Sequence, residues 1–289
     1  MIQALRDKLV DLWHARELLR QFVGKELKVR YKNSALGFLW SLLTPAAMTV
    51  VFTVVFAFVF RINVDDFAAF FLAGYLAWSF FNNSVTGSIQ AVTGNGNLIK
   101  KVYFPREVLP LSIVIGQLVH LVLALLVMLP YFVWVRGVGV LTHLPALAVG
   151  VIVLFVFTSG VSMLLAGANV SFRDLQELIV VVFLVWFYAT PVIYPVALVE
   201  RQIADGVGIA VLFGHIISLN PMTWFVKMFR EALYGEVAPR LAADGNLVDT
   251  MQSWPSPELL TVTVTIAFGA FVVGYLAFHR FALTFAKEV

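Results

Sequence analysis

Seven stretches of this chain run for about 20 residues or more without a single Asp, Glu, Lys or Arg: 33–60, 67–99, 108–135, 137–172, 178–199, 206–226 and 259–279. A charge at the centre of a bilayer costs at least about 2.5 kcal/mol, and a helix needs roughly 20 mostly apolar residues to cross one. The runs therefore predict a polytopic helical membrane protein. Composition agrees, because 61% of the residues are apolar and 13% charged. A soluble domain carries about twice that share of charge.

The last uncharged run but one, 206–226, is interrupted by Gly206, Gly208, Gly214, His215, Ser218, Asn220 and Pro221. What remains is too short to span and reads as re-entrant or interfacial. Six spans follow, at about 36–60, 67–92, 109–134, 146–170, 177–197 and 259–280, with 198–258 as an external segment and 282–289 as a tail. Charge orients them: residues 1–32 carry eight Lys/Arg, and Lys100, Lys101, Arg106, Arg173, Arg280 and Lys287 fall on the same side. The other side has Arg61, Arg136, Arg201, Lys227, Arg230 and Arg240, with seven acidic residues between Glu200 and Glu258. Positive-inside bias predicts both termini in the cytoplasm. A seventh span would place the C-terminus outside, against that bias.

Three pieces are not plain spans. Before the first span, Leu12, Leu19, Val23, Leu27 and Tyr31 follow a helical stripe, flanked by Arg16, Arg20, Lys25, Lys28 and Lys32. This pattern predicts a basic amphipathic helix that either anchors the chain at the headgroups or also docks a partner. The segment 94–107 combines turn formers, Asn97 as a possible cap, Lys100, Lys101 and Arg106, and a Phe104-Pro105 stop. It fits an ordinary positive-inside loop; apolar Val102, Tyr103 and Phe104 favour a contact surface. At the outer side, Pro191 and Pro195 break the end of the fifth span, and Asn220-Pro221 opens a helix in which Trp224, Phe225, Met228, Phe229 and Ala232 alternate with Lys227, Arg230 and Glu231. That helix is expected to be external, amphipathic and interfacial or re-entrant.

Aromatic residues recur at Phe52, Phe56 and Phe60 and at Phe183, Trp186, Phe187 and Tyr188. Lipid-facing belts and a ring-lined path for sugars both fit. Among motifs, the chain has no GxxxxGK[ST], HExxH or GxSxG, and its five His are scattered. It has no Cys for disulfides or thiolate sites. A membrane conduit with basic cytoplasmic surfaces and no energy source of its own is the reading that remains.

Three motifs add a resemblance. The first is Arg30-Tyr31-Lys32-Asn33-Ser34-Ala35-Leu36-Gly37-Phe38-Leu39-Trp40, followed by Pro45. The second is Lys101-Val102-Tyr103-Phe104-Pro105-Arg106-Glu107-Val108-Leu109-Pro110, and the third is Asn220-Pro221-Met222 with Phe229-Arg230-Glu231-Ala232-Leu233-Tyr234-Gly235. Together they resemble type-2 ABC exporter permeases, in particular the polysaccharide-exporting branch with its O-antigen, teichoic-acid and lipid-linked galactan permeases. The resemblance spans most of the chain, but 238–257 shows no matching feature.

The resemblance implies an all-α homodimer of six-span subunits in a bacterial or archaeal plasma membrane. Each subunit would bind an ABC ATPase subunit that holds ATP and Mg, and the permease itself would be neither an enzyme nor a cofactor or nucleic-acid binder. The cargo implied is an undecaprenyl diphosphate-linked glycan; a drug or small-lipid exporter and a lipid-modifying membrane enzyme are the alternatives. By motif, Asn97, Lys100, Lys101, Tyr103, Phe104, Arg106 and Glu107, with Arg173 and Asp174, would couple to the ATPase. Arg30, Tyr31, Ser34, Gly37, Trp40, Phe52, Phe56 and Tyr188 would line substrate entry and path, Arg30 by pairing with diphosphate through its planar fork. Pro191, Tyr194, Pro195, Asn220, Pro221 and Trp224 would form an external gate.

Overall fold

The computed structural model describes residues 15–32, 39–62, 64–102, 104–204, 206–235, 238–241, 247–250, 255–282 and 285, with backbone alone at 30, 31, 40, 41 and in the two strands. In chain order the elements are α1 (Arg16–Tyr31), α2 (Leu39–Thr53), α3 (Phe67–Ile89), α4 (Gly96–Lys101), α5 (Val108–Arg136) and α6 (Leu144–Ser171). They continue as α7 (Leu175–Ala189), α8 (Val196–Ala204), α9 (Gly208–Leu219), α10 (Pro221–Leu233), β1 (Ala238–Leu241), β2 (Leu247–Thr250) and α11 (Pro257–Ala282).

Four helical segments are long and apolar enough to cross a bilayer: Leu42–Val59, Val108–Arg136, Val138–Ser171 and Pro257–Ala282. The first includes a π-helical turn, Val54–Val59, at the end of α2. α3, at 23 residues, has the length but not the apolar composition, since Ser79, Asn82, Asn83, Ser84 and Ser88 dilute it. It is the centre of the bundle, touched by α2, α5, α6, α7 and α10, so its surface meets protein more than lipid. That is why a helix of spanning length tolerates so many polar residues.

α7 departs from the expected span 177–197. It has 15 residues, about 22 Å at 1.5 Å per residue against a hydrocarbon core of roughly 30 Å. Pro191 explains the early stop: it has no N–H to continue the ladder and pushes Thr190 to extended backbone, at φ −96° and ψ 132°. α9 and α10 bend by 76° at Asn220, as a broken span or a re-entrant loop would.

Of the interfacial and re-entrant placements expected for α10, its burial excludes the interfacial one. Met222, Phe225, Val226, Met228 and Phe229 are buried, and so are Arg230 and Glu231 from the charged face. The helix is inserted among α3, α6 and α11, leaving Lys227 as its exposed charge. Beyond it, β1 and β2 pair antiparallel, with Ala238 opposite Thr250 and Leu241 opposite Leu247. Apart from this short strand pair the described elements are helical, as the sequence led us to expect.

Two hydrophobic clusters hold the bundle. The larger joins α3 to α5, α6, α7 and α10 through Phe71, Leu76, Phe81, Phe132, Leu154, Phe157, Phe183, Phe225 and Phe229. The smaller lies at the end where α3 runs out and α5 begins, and joins Ala91, Val92, Ile99 and Leu109 to Met163, Val170, Phe278 and Phe285. α6 and α11 cross in backbone contact at Gly160 and Gly274. A Cβ on Gly274 would sit 2.6 Å from the Gly160 carbonyl carbon, so only glycine allows this approach. Helices in lipid gain association from such close packing, because apolar side chains are equally at home in lipid.

Candidate functional site

The segment 94–107 separates into an outward and an inward part. α4 is a six-residue helix after a 3-10 turn, Thr93–Asn95. Asn95, not Asn97, occupies the N-cap position, and its side-chain amide donates to the Ala91 carbonyl at 2.8 Å. Asn97, Lys100, Lys101 and Val102 are exposed. The two lysines occupy the last turn, where the helix dipole favours positive charge. Ile99, Lys100, Lys101, Val102, Phe104 and Arg106 line a shallow cleft.

Arg106 borders the cleft beside the lysines, but its guanidinium and the Glu107 carboxylate are tied inward. Nη1 of Arg106 donates to the carbonyl of Ala282 at the end of α11, and its guanidinium lies 5.7 Å from the Phe285 ring centroid. Glu107 is buried, with Oε1 at 3.4 Å from Nε2 of His279. Phe104 stacks on Phe22 of α1 at 6.4 Å between centroids. The basic amphipathic α1 itself packs along α5, with Glu26 against Gly116, while Arg16, Arg20, Lys25 and Lys28 are exposed. Arg173 and Asp174, both exposed between α6 and α7, lie at the same end, since the Gln90 side chain donates to that of Gln176 and Asn169 Nδ2 donates to the Ile89 carbonyl at 3.1 Å. Tyr103 lies outside the described residues.

At the opposite end the expected gate residues converge on Asn220. Its Oδ1 accepts from the backbone N–H of Met222 at 2.9 Å and from Nε1 of Trp186 at 2.7 Å. Its Nδ2 donates to the Ala189 carbonyl at 3.2 Å and to Oγ1 of Thr190 at 2.8 Å. One amide thus caps α10 and pins the broken end of α7 to it. Pro221 follows at the first helical position. Tyr194 donates to the Tyr188 carbonyl at 3.1 Å and its ring meets Phe213 of α9, while Trp224 donates to the Ser218 carbonyl at 3.3 Å. Pro191 is buried in this knot, and Pro195 stands at its edge before α8.

Arg230, missing from the expected gate, completes it. It is 1% exposed; Nη2 donates to the Val192 carbonyl at 2.7 Å, Nε donates to the Phe70 carbonyl at 3.4 Å, and the guanidinium stacks 3.6 Å from the Phe70 centroid. Its neighbours Lys227 and Glu231 gave it the look of one charge among several on a solvent-facing stripe, so the sequence carried no separate signal for it.

The expected entry path is only partly visible. Ser34 and Gly37 lie outside the described residues, as do the side chains of Arg30, Tyr31 and Trp40. Phe52 and Phe56 stack on Phe71 and Phe67 of α3, at 4.8 and 5.9 Å, and are half-buried. The rings continue along α3 and α7 through Trp78, Phe81, Phe183 and Trp186, while Tyr188 is exposed. Among the described residues no group of three or more His, Cys, Asp or Glu could hold a metal.

Comparison with known proteins accords with this layout. The chain is 34% identical over 243 residues to the O-antigen export system permease protein RfbA of Myxococcus xanthus, covering 83% of this chain and 87% of that one. It is 30% identical over 230 residues to the protein of the same name from Klebsiella pneumoniae, covering 76% and 82%. The polysialic acid transport protein KpsM of Escherichia coli is 21% identical over 217 residues, covering 72% and 78%. The family described as ABC-2 type transporter matches residues 17–234, from α1 to the end of α10. This multi-pass membrane chain belongs to the ABC-2 type transporter family.

Proposed function

We propose that this chain is the membrane permease of an ATP-driven exporter that moves an undecaprenyl diphosphate-linked polysaccharide from the cytoplasm outward. A separate subunit binds ATP and Mg and hydrolyses the nucleotide. The observation that carries this reading is the exposed Lys100-Lys101 turn of a short helix anchored at both ends, in a chain alike over 243 residues to an O-antigen export permease. Asn97, Lys100, Lys101, Arg173 and Asp174 then form the cytoplasmic contact surface, since all five are exposed at one end.

Six spans with both termini inside fit this role. α3 and α7 complete the four clear spans, α3 because neighbouring helices shield its polar residues and α7 because the turn after Ala189 prolongs its path. A second copy of the chain supplies the other half of the conduit, with two ATPases beneath. Arg30, Tyr31, Ser34, Gly37 and Trp40 serve substrate entry, and the knot around Asn220 gates the outer end.

Depletion of the chain in its own cell tests the reading. Lipid-linked glycan accumulates on the cytoplasmic side and surface polysaccharide falls. Loss of surface glycan without any intracellular lipid-linked precursor would instead mark a biosynthetic role and overturn the transport assignment.

A further inference from the structure

We propose that Arg106 and Glu107 are a latch that carries movement of the 94–107 segment into α11, making the last helix the part of the bundle that the cytoplasmic ATPase drives directly. The inference rests on the proposed assignment of that segment as the ATPase contact. Its starting point is the division of labour within the segment: Lys100 and Lys101 are exposed, whereas the charges five to seven residues later turn inward to one helix.

The attachment uses two chemically different ties. Arg106 donates to the carbonyl of Ala282, one of the terminal carbonyls that a helix cannot satisfy internally and that carries the negative end of its dipole. The pairing is charge-assisted and directional. One turn back along α11, Glu107 faces His279, whose ring meets Tyr275 edge-on at 5.1 Å between centroids. Glu107 is also the residue that opens α5, so the tie lies at the root of that helix.

Packing ties the segment to α11 and α11 in turn to α6. Ile99 within the segment and Leu109 just after it share the smaller hydrophobic cluster with Phe278 and Phe285. To the main cluster α11 contributes a single buried residue, Ala267. Its most extensive contact is with α6, along a seam that includes the close Gly160–Gly274 crossing. A push on the segment therefore reaches α11 through the latch and passes on to α6 along that seam. From α11 the next link outward is Thr263, whose hydroxyl approaches Sδ of Met228 on α10 at 4.0 Å.

The chain has no native cysteine, so a cysteine pair can be placed in it and read in the assembled complex, with the unsubstituted chain as the control for thiols of the partner. With Glu107→Cys and His279→Cys joined by a short thiol-specific cross-linker, a latch that stays closed predicts that ATP hydrolysis and export both persist. Loss of export upon cross-linking, restored by cleaving the linker, would show that the segment must slide past α11 and would overturn the proposal. Conversely, Arg106→Ala should leave ATPase co-purification and hydrolysis near normal while export falls about tenfold, the size of a typical coupling free energy. Arg106→Lys, which keeps a donor for the Ala282 carbonyl, should recover most of the export. A proportional fall of hydrolysis and export in Arg106→Ala would reduce the residue to a structural support and sink the latch. Should Arg106→Ala fail to fold, the cross-link result decides alone. If the unaltered chain recovers no ATPase at all, the failure lies with the contact assignment and not with the latch.

Discussion

Replacing Asn220 by Leu keeps the branched skeleton of the side chain and removes all four of its hydrogen bonds at once. The backbone N–H of Met222 loses its cap, worth about 1 kcal/mol. Nε1 of Trp186 is left without its 2.7 Å acceptor in a part-buried site, which costs about 1–2 kcal/mol. The two bonds from Nδ2 to Ala189 and Thr190 are interhelical, and such bonds in membrane proteins average about 0.6 kcal/mol each. The expected loss is about 3–4 kcal/mol. At roughly 2–4 °C per kcal/mol for a chain of this size, the apparent Tm in detergent should fall by about 6–16 °C. Asn220→Ser keeps a cap for Met222 but is too short to reach Trp186, so its loss should lie between wild type and Asn220→Leu. Hydrogen exchange supplies a local readout, since protection of the first turn of α10 should drop before that of α3. A Tm for Asn220→Leu within about 2 °C of wild type, with unchanged exchange at Met222, would refute the claim that this amide pins α7 to α10.

Other substitutions probe different links. Gly274→Ala forces α6 and α11 apart, because the new Cβ meets the Gly160 carbonyl group; a loss of about 1–3 kcal/mol is expected in thermal unfolding, and an unchanged Tm would mean the crossing is looser than described. Arg230→Met leaves the Val192 and Phe70 carbonyls without their donors and should cost about 2 kcal/mol, with Arg230→Lys a poor substitute because it lacks the planar fork that stacks on Phe70; full stability of the Lys variant would contradict the stacking argument. Charge reversal at Lys100 and Lys101 should lower recovery of the ATPase with membrane insertion intact, and normal recovery would remove the two lysines from the contact. Replacing Tyr31 and Trp40 by Ala should reduce export more than folded yield; degradation of the variant would mark these rings as packing residues.

The charge-free runs made the bundle legible, because lipid penalises a charge wherever the helix goes. The helix break before Pro191 and the Asn220-Pro221 cap were legible for an equally local reason: proline lacks a donor and asparagine supplies an acceptor. What Asn220 binds across the bundle was not legible, since Trp186 lies 34 residues away. Arg230 was hidden by the pattern that flanks it. Alternating aromatic and charged residues look like a surface helix, and only the tertiary position of α10 turns its charged face inward. Arg106 and Glu107 read as members of a basic loop for the same reason, since Arg106 finds its carbonyl 176 residues along the chain. The break in α7 could be located from prolines, but the shortening of its helix to 15 residues, with the path continued by a non-helical turn, required the whole structure.

We propose that this permease works only with an ATPase seated on the face that carries Lys100 and Lys101. It is tested most directly by purifying the tagged chain from native membranes in mild detergent and quantifying the proteins that remain bound. The account predicts a P-loop ATPase at equal stoichiometry, lost when Lys100 and Lys101 are reversed in charge. A folded chain recovered without any ATPase, yet still active on a membrane lipid, would contradict it.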